Sequence, residues 1–244
     1  MASVERAIGE FRERGFCVLQ QHFDPQLIGA CKDAFWPHLM AYLKTAAPNR
    51  GKHRHFLPMS FEPPCFSPAF FFDQDVLAIV RGLMDDRIVA DQWGCDTPVR
   101  GSEYQSPHVD YQHPLFPETQ DALFPPYVIV VSFGLVGIAA EHGPIEIAPA
   151  THRLSRSETA RAVETGSIKL QAVPLEIGDV LIRHPWTMHR GTPNTTDTPR
   201  ALATIRYVRR WYADSSRDVE AIPRTTWDSL SPEQQKIMRF PISA

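Results

Sequence analysis

The chain has 244 residues, of which 43% are hydrophobic and 22% charged, and its formal net charge is −3. This is ordinary globular composition, and a compact chain of this length buries enough surface for one self-sufficient core. Lysine and arginine are dispersed along the sequence, which excludes the clustered basic footprint of a nucleic-acid-binding protein. No segment approaches the roughly 18 consecutive apolar residues that a membrane helix requires. We therefore expect a single domain over residues 1–244 that does not bind membranes.

Four cysteines occur without a Cys-x-x-Cys pair or a metal-binding spacing: Cys17, Cys31, Cys65 and Cys95. The N-terminus is acidic and lacks the apolar run of a signal peptide. We expect free thiols in a reducing, cytoplasmic compartment. The expected partner is a small-molecule substrate, and the expected state is a monomer or a homodimer.

The N-terminal part, residues 1–86, is predicted to be largely helical. Apolar residues recur at helical spacing over residues 3–13, and a short apolar strand follows at 16–19. Asp24 and the proline after it have the pattern of an N-cap and a first helical residue. Pro37 is expected to kink or end that second helix.

A proline- and phenylalanine-rich segment spans residues 46–72. A long irregular loop inside a compact domain is often a lid or a substrate-binding segment. The alternative is a hydrophobic cover over the core, which we favour slightly. Within it, residues 50–55 are the densest basic stretch of the chain. This stretch is expected to be a solvated loop, with a role in binding an acidic substrate as the alternative.

Short strands between turns dominate residues 87–212. A helical insert is predicted at 157–165, and a helix capped by Ser231 in the C-terminal tail, 213–244. The strands are predicted at residues 127–131, 145–147, 180–182 and 201–211. Together these elements predict a mainly β, α+β chain with a jelly-roll (double-stranded β-helix, cupin-like) core between flanking helices.

One pattern carries chemistry: His108-Val109-Asp110, then His189 about eighty residues later, then Arg200 eleven residues after that. On a strand, residues i and i+2 point to the same face, so His108 and Asp110 should project together. Two histidines and one carboxylate are the ligand set of non-heme Fe(II) centres with open positions. The strand after Arg200 is expected to lie beside the strand of His189, which would aim Arg200 at a metal-bound ligand. His184 is the rival distal ligand, but strand alternation turns it away from His189.

The combined pattern resembles the phytanoyl-CoA hydroxylase family of Fe(II)- and 2-oxoglutarate-dependent oxygenases. The resemblance spans roughly residues 8–210. It departs from the family at His142, Ala150 and Gly191, which stand where relatives carry Asn, Gly and a small hydroxyl residue. The matching blocks are residues 11–16, 106–110, 142–146 followed by 149–153, and 178–179 followed by His184, His189, Asn194 and Arg200.

The resemblance implies that His108, Asp110 and His189 bind Fe(II) and that Arg200 binds the distal carboxylate of the cosubstrate 2-oxoglutarate. Thr192 is expected to supply the hydroxyl that Gly191 lacks, and Gln105 to contact the cosubstrate. The implied reaction consumes O2, releases succinate and CO2, and hydroxylates an unactivated C–H bond of a small molecule, as in natural-product biosynthesis. Asp110 argues against halogenation, because related halogenases have a small residue there. Two alternatives stay open: a cupin-type isomerase or dioxygenase without 2-oxoglutarate, and a non-catalytic metal-binding module.

Overall fold

The computed structural model describes residues 2–110, 124–212 and 219–243. Helices flank two antiparallel sheets, one of six strands and one of three. The helices are α1 (Ala2–Arg14), α2 (Pro25–Thr45), α3 (Pro68–Phe71), α4 (Gln74–Leu83), α5 (Arg156–Glu164), α6 (Arg224–Ser229) and α7 (Pro232–Ile237). The strands are β1 (Phe16–Leu19), β2 (Arg54–Pro58), β3 (Ile88–Pro98), β4 (Val128–Gly134), β5 (Ile145–Ile147), β6 (Gln171–Val173), β7 (Val180–Arg183), β8 (His189–Gly191) and β9 (Leu202–Arg209).

The larger sheet has the strand order β1-β7-β4-β9-β3-β2, and the smaller sheet has the order β6-β5-β8. Every pairing between these strands is antiparallel. Within the described residues the two sheets do not close into a barrel. The predicted mainly β, α+β jelly-roll fold is confirmed.

Strand alternation divides the larger sheet into two faces. On β4, Ile129, Val131 and Phe133 belong to the main hydrophobic core together with residues of α1, α2 and α4. Val130 and Ser132, the alternate residues, line a cavity on the opposite face. The period of two along a strand therefore separates the core from the cavity.

An aromatic cluster fills the core beneath β4. The ring of Phe133 lies 4.7 Å from that of Phe70, 5.1 Å from Phe23 and 6.2 Å from Trp93, centroid to centroid. Phe133 is fully buried, so truncation leaves a cavity that the rigid sheet cannot close.

We expect Phe133→Ala to lower the free energy of unfolding by about 3–5 kcal/mol. Denaturant-induced unfolding of the purified chain measures this change. The control is Met40→Ala on α2, where the side chain is 39% exposed and the expected change is within about 0.5 kcal/mol. Equal destabilisation by the two substitutions would contradict this account of the core.

Three local predictions differ from the structure. Helix α2 continues through Pro37 to Thr45, because burial of Phe35 and Leu39 on either side of the proline outweighs the lost backbone hydrogen bond. Strand β2 and helix α3 lie inside the segment 46–72 that was predicted to be irregular. Helix α4, which the sequence analysis did not assign, begins at an Asp73 cap.

The phenylalanines of residues 46–72 are divided between the two faces. Phe61, Phe66, Phe70 and Phe71 are buried in the main core, whereas Phe56 on β2 lines the cavity. The basic stretch 50–55 ends in β2, which pairs with β3, so its arginine at position 54 belongs to a strand of the sheet and not to a solvated loop.

The remaining features concern the thiols and the helices. All four cysteines are free and buried. None of the helices within residues 2–110, 124–212 and 219–243 is long and apolar enough to cross a membrane. The Ser231 hydroxyl accepts a hydrogen bond from the backbone N–H of Gln234, and the Gln234 side chain accepts one from the backbone N–H of Ser231. Ser231 therefore caps α7, as the sequence pattern predicts.

Candidate active site

A cavity of ≈ 510 Å³ lies between the two sheets. The larger sheet contributes Val130, Ser132, Leu181 and Thr204 to its wall. The smaller sheet contributes Ile145, His189 and Gly191. The predicted site residues His108, Asp110, Gln105 and Arg200 also line it.

His108, Asp110 and His189 meet at one end of this cavity. His108 forms a two-residue antiparallel bridge with His189, in which each backbone N–H donates to the other's carbonyl over 2.9 Å. One ligand atom from each of the three side chains lies within 4.8 Å of the others. Nε2 of His189 is 3.3 Å from Oδ1 of Asp110. The structure therefore brings the three candidate ligands together.

Backbone carbonyls select the tautomer of both histidines. Nδ1 of His108 lies 2.9 Å from the carbonyl oxygen of Ser106, and Nδ1 of His189 lies 2.9 Å from that of Thr187. A carbonyl only accepts, so each Nδ1 carries the proton and each Nε2 keeps its lone pair. This second contact is how metal-binding histidines are usually oriented. Both rings thus present Nε2 as a ligand.

Arg183, which the sequence analysis missed, lies beside the triad. Its Nη1 forms a 2.8 Å ion pair with Oδ2 of Asp110. Nη1 is also 3.4 Å from Nδ1 of His189, but both groups are donors, so this contact is not a hydrogen bond. The available signal was a charged residue at inward parity on β7, two positions after the cavity-lining Leu181.

The surroundings keep both ligand types in the form that binds a metal. Burial raises the pKa of Asp110, but Arg183 and His189 more than reverse that effect, so the net pKa is strongly lowered. Burial and Arg183 lower the pKa of His189, against the opposing effect of Asp110. The site therefore offers a carboxylate and a neutral imidazole at neutral pH.

Arg200 lies at the other end of the cavity. Its side chain is only 2% exposed, and its Nη2 donates to Oδ2 of Asp96 over 2.7 Å. Nε of Arg200 is buried and has no hydrogen-bond partner among the described residues. A buried guanidinium with an unused donor suits a carboxylate ligand, which can accept two parallel bonds.

The strand expected to bring Arg200 near His189 is placed differently. Strand β8 pairs with β5 in the smaller sheet, whereas β9 lies between β4 and β3 in the larger one. The prediction that the two strands are neighbours is therefore wrong. Arg200 faces the triad across the cavity, because the two sheets lie on opposite sides of it.

Two hydroxyl groups lie on the cavity wall between the positions of Arg200 and Arg183. Oγ of Ser132 and Oγ1 of Thr204 are 3.1 Å apart on neighbouring strands. One level further towards the triad, Arg183, Val130 and Arg206 are register partners. Arg206 lines the cavity, as the strand alternation requires, and forms a buried ion pair with Asp91 through two hydrogen bonds.

The other predicted residues have distinct places. Gln105 lines the cavity, where its Oε1 accepts from the backbone N–H of Gly191 over 2.9 Å. Thr192 does not line the cavity, because its hydroxyl donates to the carbonyl of Pro144 over 2.7 Å. His184 directly follows β7 and lies away from the cavity, with its ring 6.0 Å from that of Phe11.

The donor set fits a non-heme Fe(II) ion. Two imidazole Nε2 atoms and one carboxylate oxygen converge from one side, and a polar cavity lies on the other. This arrangement leaves positions for exogenous ligands. The ends of the cavity also fit a cosubstrate with two carboxylates, since one end can chelate through the metal and the other offers Arg200.

Comparisons with known proteins agree with this geometry. The sequence profile of the phytanoyl-CoA dioxygenase (PhyH) family matches residues 11–202. The non-heme alpha-ketoglutarate-dependent epimerase SnoN from nogalamycin biosynthesis is similar in structure, with a TM-score of 0.64, 17% identity, and coverage of 85% of this chain and 81% of SnoN. The carbocyclase SnoK has a TM-score of 0.64, 16% identity and coverage of 84% and 83%. AviO1 from Streptomyces viridochromogenes Tue57 has a TM-score of 0.66, 19% identity and coverage of 87% and 97%.

Proposed function

The chain belongs to the phytanoyl-CoA dioxygenase family, and on that premise we propose that it hydroxylates an unactivated C–H bond of a small molecule. It is an enzyme of the class that uses Fe(II), 2-oxoglutarate and O2. One observation carries the proposal: the convergence of His108, Asp110 and His189 at one end of a cavity that has the buried Arg200 at the other.

In this proposal Nε2 of His108, Nε2 of His189 and Oδ1 of Asp110 hold the metal. When bound, Fe(II) couples the oxidative decarboxylation of 2-oxoglutarate by O2 to oxidation of a substrate C–H bond, with release of succinate and CO2. Arg183 holds Oδ2 of Asp110, which leaves Oδ1 for the metal. This fixed carboxylate limits the orientations that the ligand set can adopt.

Arg200 binds the distal carboxylate of 2-oxoglutarate. Its planar guanidinium can make two parallel bonds, which a lysine cannot. Ser132 and Thr204 line the wall along which the cosubstrate extends towards the metal. The residues thus supply orientation, while the cofactor supplies the oxidation.

The similar structures support a small, biosynthetic substrate. One structure of SnoN holds Fe3+, alpha-ketoglutarate and nogalamycin RO, with a TM-score of 0.63 and 17% identity to this chain. SnoN is described as an epimerase and SnoK as a carbocyclase, so this fold supports several outcomes of substrate oxidation. We propose hydroxylation or a similar oxidation, and not halogenation, because Asp110 completes the ligand set; natural-product tailoring is the proposed setting.

The first test is binding and uncoupled turnover by the purified chain. We expect Fe(II) and 2-oxoglutarate, added together without O2, to produce a visible charge-transfer absorption band that neither produces alone. Admission of O2 should then yield succinate and CO2 in equal amounts, slowly in the absence of substrate.

His189→Ala is the matched control for this test, and it should give neither band nor succinate. A wild-type chain that binds Fe(II) but shows no band and forms no succinate would contradict the proposal. That result would favour one of the two alternatives, a cupin-type enzyme without 2-oxoglutarate or a non-catalytic metal-binding module. Failure to bind Fe(II) at all would instead favour a role unrelated to metal chemistry.

A further inference from the structure

A second guanidinium lies next to the Arg200 end of the cavity, just outside the residues that line it. Arg54 on β2 is only 2% exposed, and its strand neighbour in register is Pro98, whose carbonyl accepts from the backbone N–H of Arg200. Burial lowers the pKa of Arg54, and nearby Asp96 and Arg200 act on it in opposite directions. Arg54, Asp96 and Arg200 therefore form one charged cluster.

The hydrogen bonds of Arg54 leave one end of its fork unused. Nε and Nη2 donate to the carbonyl of Glu103, over 3.2 and 2.8 Å, and Nη2 also donates to that of Thr192 over 2.6 Å. In the part of the chain that the structure describes, Nη1 has no hydrogen-bond partner. The two carbonyls thus hold the guanidinium rigidly and leave Nη1 as a spare donor.

Gly191 shows where Nη1 lies. Gly191 has the same parity on β8 as His189, so a side chain there would project into the cavity. A Cβ on Gly191 would collide with Nη1 of Arg54 and lie 2.7 Å from Oε1 of Gln105. Nη1 therefore occupies the space inside the sheets that a small hydroxyl side chain at position 191 would otherwise fill.

The charges of Arg54, Asp96 and Arg200 together favour an anion at this place. Asp96 pairs with Arg200 over 2.7 Å, so those two charges cancel and by themselves offer an anion little net attraction. Arg54 has no carboxylate partner of its own among the described residues, and it restores one positive charge to the cluster. One further carboxylate would neutralise the cluster, which is the condition for favourable burial of a charge.

We propose that Arg54 is a second binding residue for the distal carboxylate of 2-oxoglutarate, donating through Nη1 beside Arg200. This inference rests on the proposed function and deepens it. Arg54 takes the place of the hydroxyl that is absent at Gly191, the role first expected of Thr192. It makes the cavity selective for a 2-oxo acid with a carboxylate at the far end.

The test compares two ligands that differ only at that end. 2-Oxopentanoate has the same carbon chain as 2-oxoglutarate, with a methyl group in place of the distal carboxylate. Calorimetric titration of the anaerobic Fe(II)-loaded chain gives the dissociation constant of each ligand. We expect Arg54→Met to weaken 2-oxoglutarate binding by about tenfold to a hundredfold and to leave 2-oxopentanoate binding unchanged.

Two further variants make the result specific. Lys52→Met removes an exposed positive charge from the same segment, where Lys52 pairs with Glu103 at the surface, and should leave both dissociation constants unchanged. Arg54→Lys keeps the charge but loses the fork, so its loss of selectivity should be smaller than that of Arg54→Met. If Arg54→Met does not fold, the ratio of the two dissociation constants in Arg54→Lys is the deciding measurement.

The outcomes separate this inference from the proposed function. The ratio of the two dissociation constants does not depend on the fraction of folded protein, so a purely structural role of Arg54 would leave it unchanged. If the wild-type chain binds 2-oxoglutarate and Arg54→Met leaves this ratio unchanged, only the role of Arg54 is overturned. A wild-type chain that binds neither ligand would overturn the proposed function itself.

Discussion

Replacing His189 with alanine is expected to abolish iron binding and succinate formation together. The substitution removes one of the three candidate ligand groups that meet at the end of the cavity. Loss of a residue that merely orients a ligand costs about 10- to 100-fold in metal affinity, so loss of a ligand should cost more than about 100-fold. Anaerobic Fe(II) titration and metal analysis after dialysis measure this effect directly.

His184→Asn provides the matched control, since His184 is the other histidine that the sequence placed near this position. Its Nδ1 accepts from the backbone N–H of Trp186 over 3.1 Å, and the amide oxygen of asparagine can replace that acceptor. We expect unchanged iron affinity, because His184 is directed away from the cavity. Loss of iron in His184→Asn with retention in His189→Ala would reverse the assignment of the distal ligand.

Replacing Arg200 with alanine is expected to remove most of the affinity for 2-oxoglutarate while iron binding persists. Arg200 is buried, and its loss also leaves Asp96 without its partner. Removing one partner of a desolvated, hydrogen-bonded charge pair between protein and ligand costs about 2–5 kcal/mol of binding free energy, which corresponds to roughly thirtyfold to several thousandfold in affinity. Titration of the Fe(II)-loaded variant with 2-oxoglutarate, followed by its absorption band, gives the change.

Arg100→Ala is the control for Arg200→Ala. Arg100 also pairs with an aspartate, Asp197, but both side chains are exposed, at 64% and 86%. Exposed pairs of this kind contribute little, so 2-oxoglutarate affinity should stay at the wild-type level. If Arg200→Ala instead binds 2-oxoglutarate with wild-type affinity, Arg200 has no role in cosubstrate binding. That result would support an activity without 2-oxoglutarate.

Three arginine–aspartate pairs lie beside the cavity, with Arg183 and Arg206 at the same level of the larger sheet and Arg200 towards the other end. Arg183 pairs with Asp110 over 2.8 Å, Arg200 with Asp96 over 2.7 Å and Arg206 with Asp91 over 2.6 Å. Buried pairs are weak sources of stability, because desolvation offsets their attraction. Their value here is geometric, since each pair fixes a charged side chain against a rigid strand. In the proposed function, cosubstrate and metal would therefore meet groups that are already oriented.

Local rules were sufficient for much of the secondary structure and for the candidate ligands. The cap before α2 and the capping box of α7 follow from short-range hydrogen bonds between side chain and backbone. The spacing of two residues between His108 and Asp110 predicted that both side chains project from the same face of a strand. Their candidate ligand atoms do meet, together with that of His189. The alternation argument that separated His184 from His189 does not apply, because β7 ends at Arg183 and β8 begins at His189, so the two histidines do not share one regular strand.

Strand pairing and contacts between residues distant in sequence decided the features that local rules cannot predict. The sequence by itself determined the ligand types, their parity and the mainly β fold, because these depend on neighbours a few residues apart. Only the tertiary structure placed β8 and β9 in different sheets, set Arg183 against Asp110, and brought Arg54 beside Arg200. It also turned the Thr192 hydroxyl to Pro144. Each of these contacts joins residues that are distant in sequence or depends on which sheet a strand enters, and no local propensity encodes that choice.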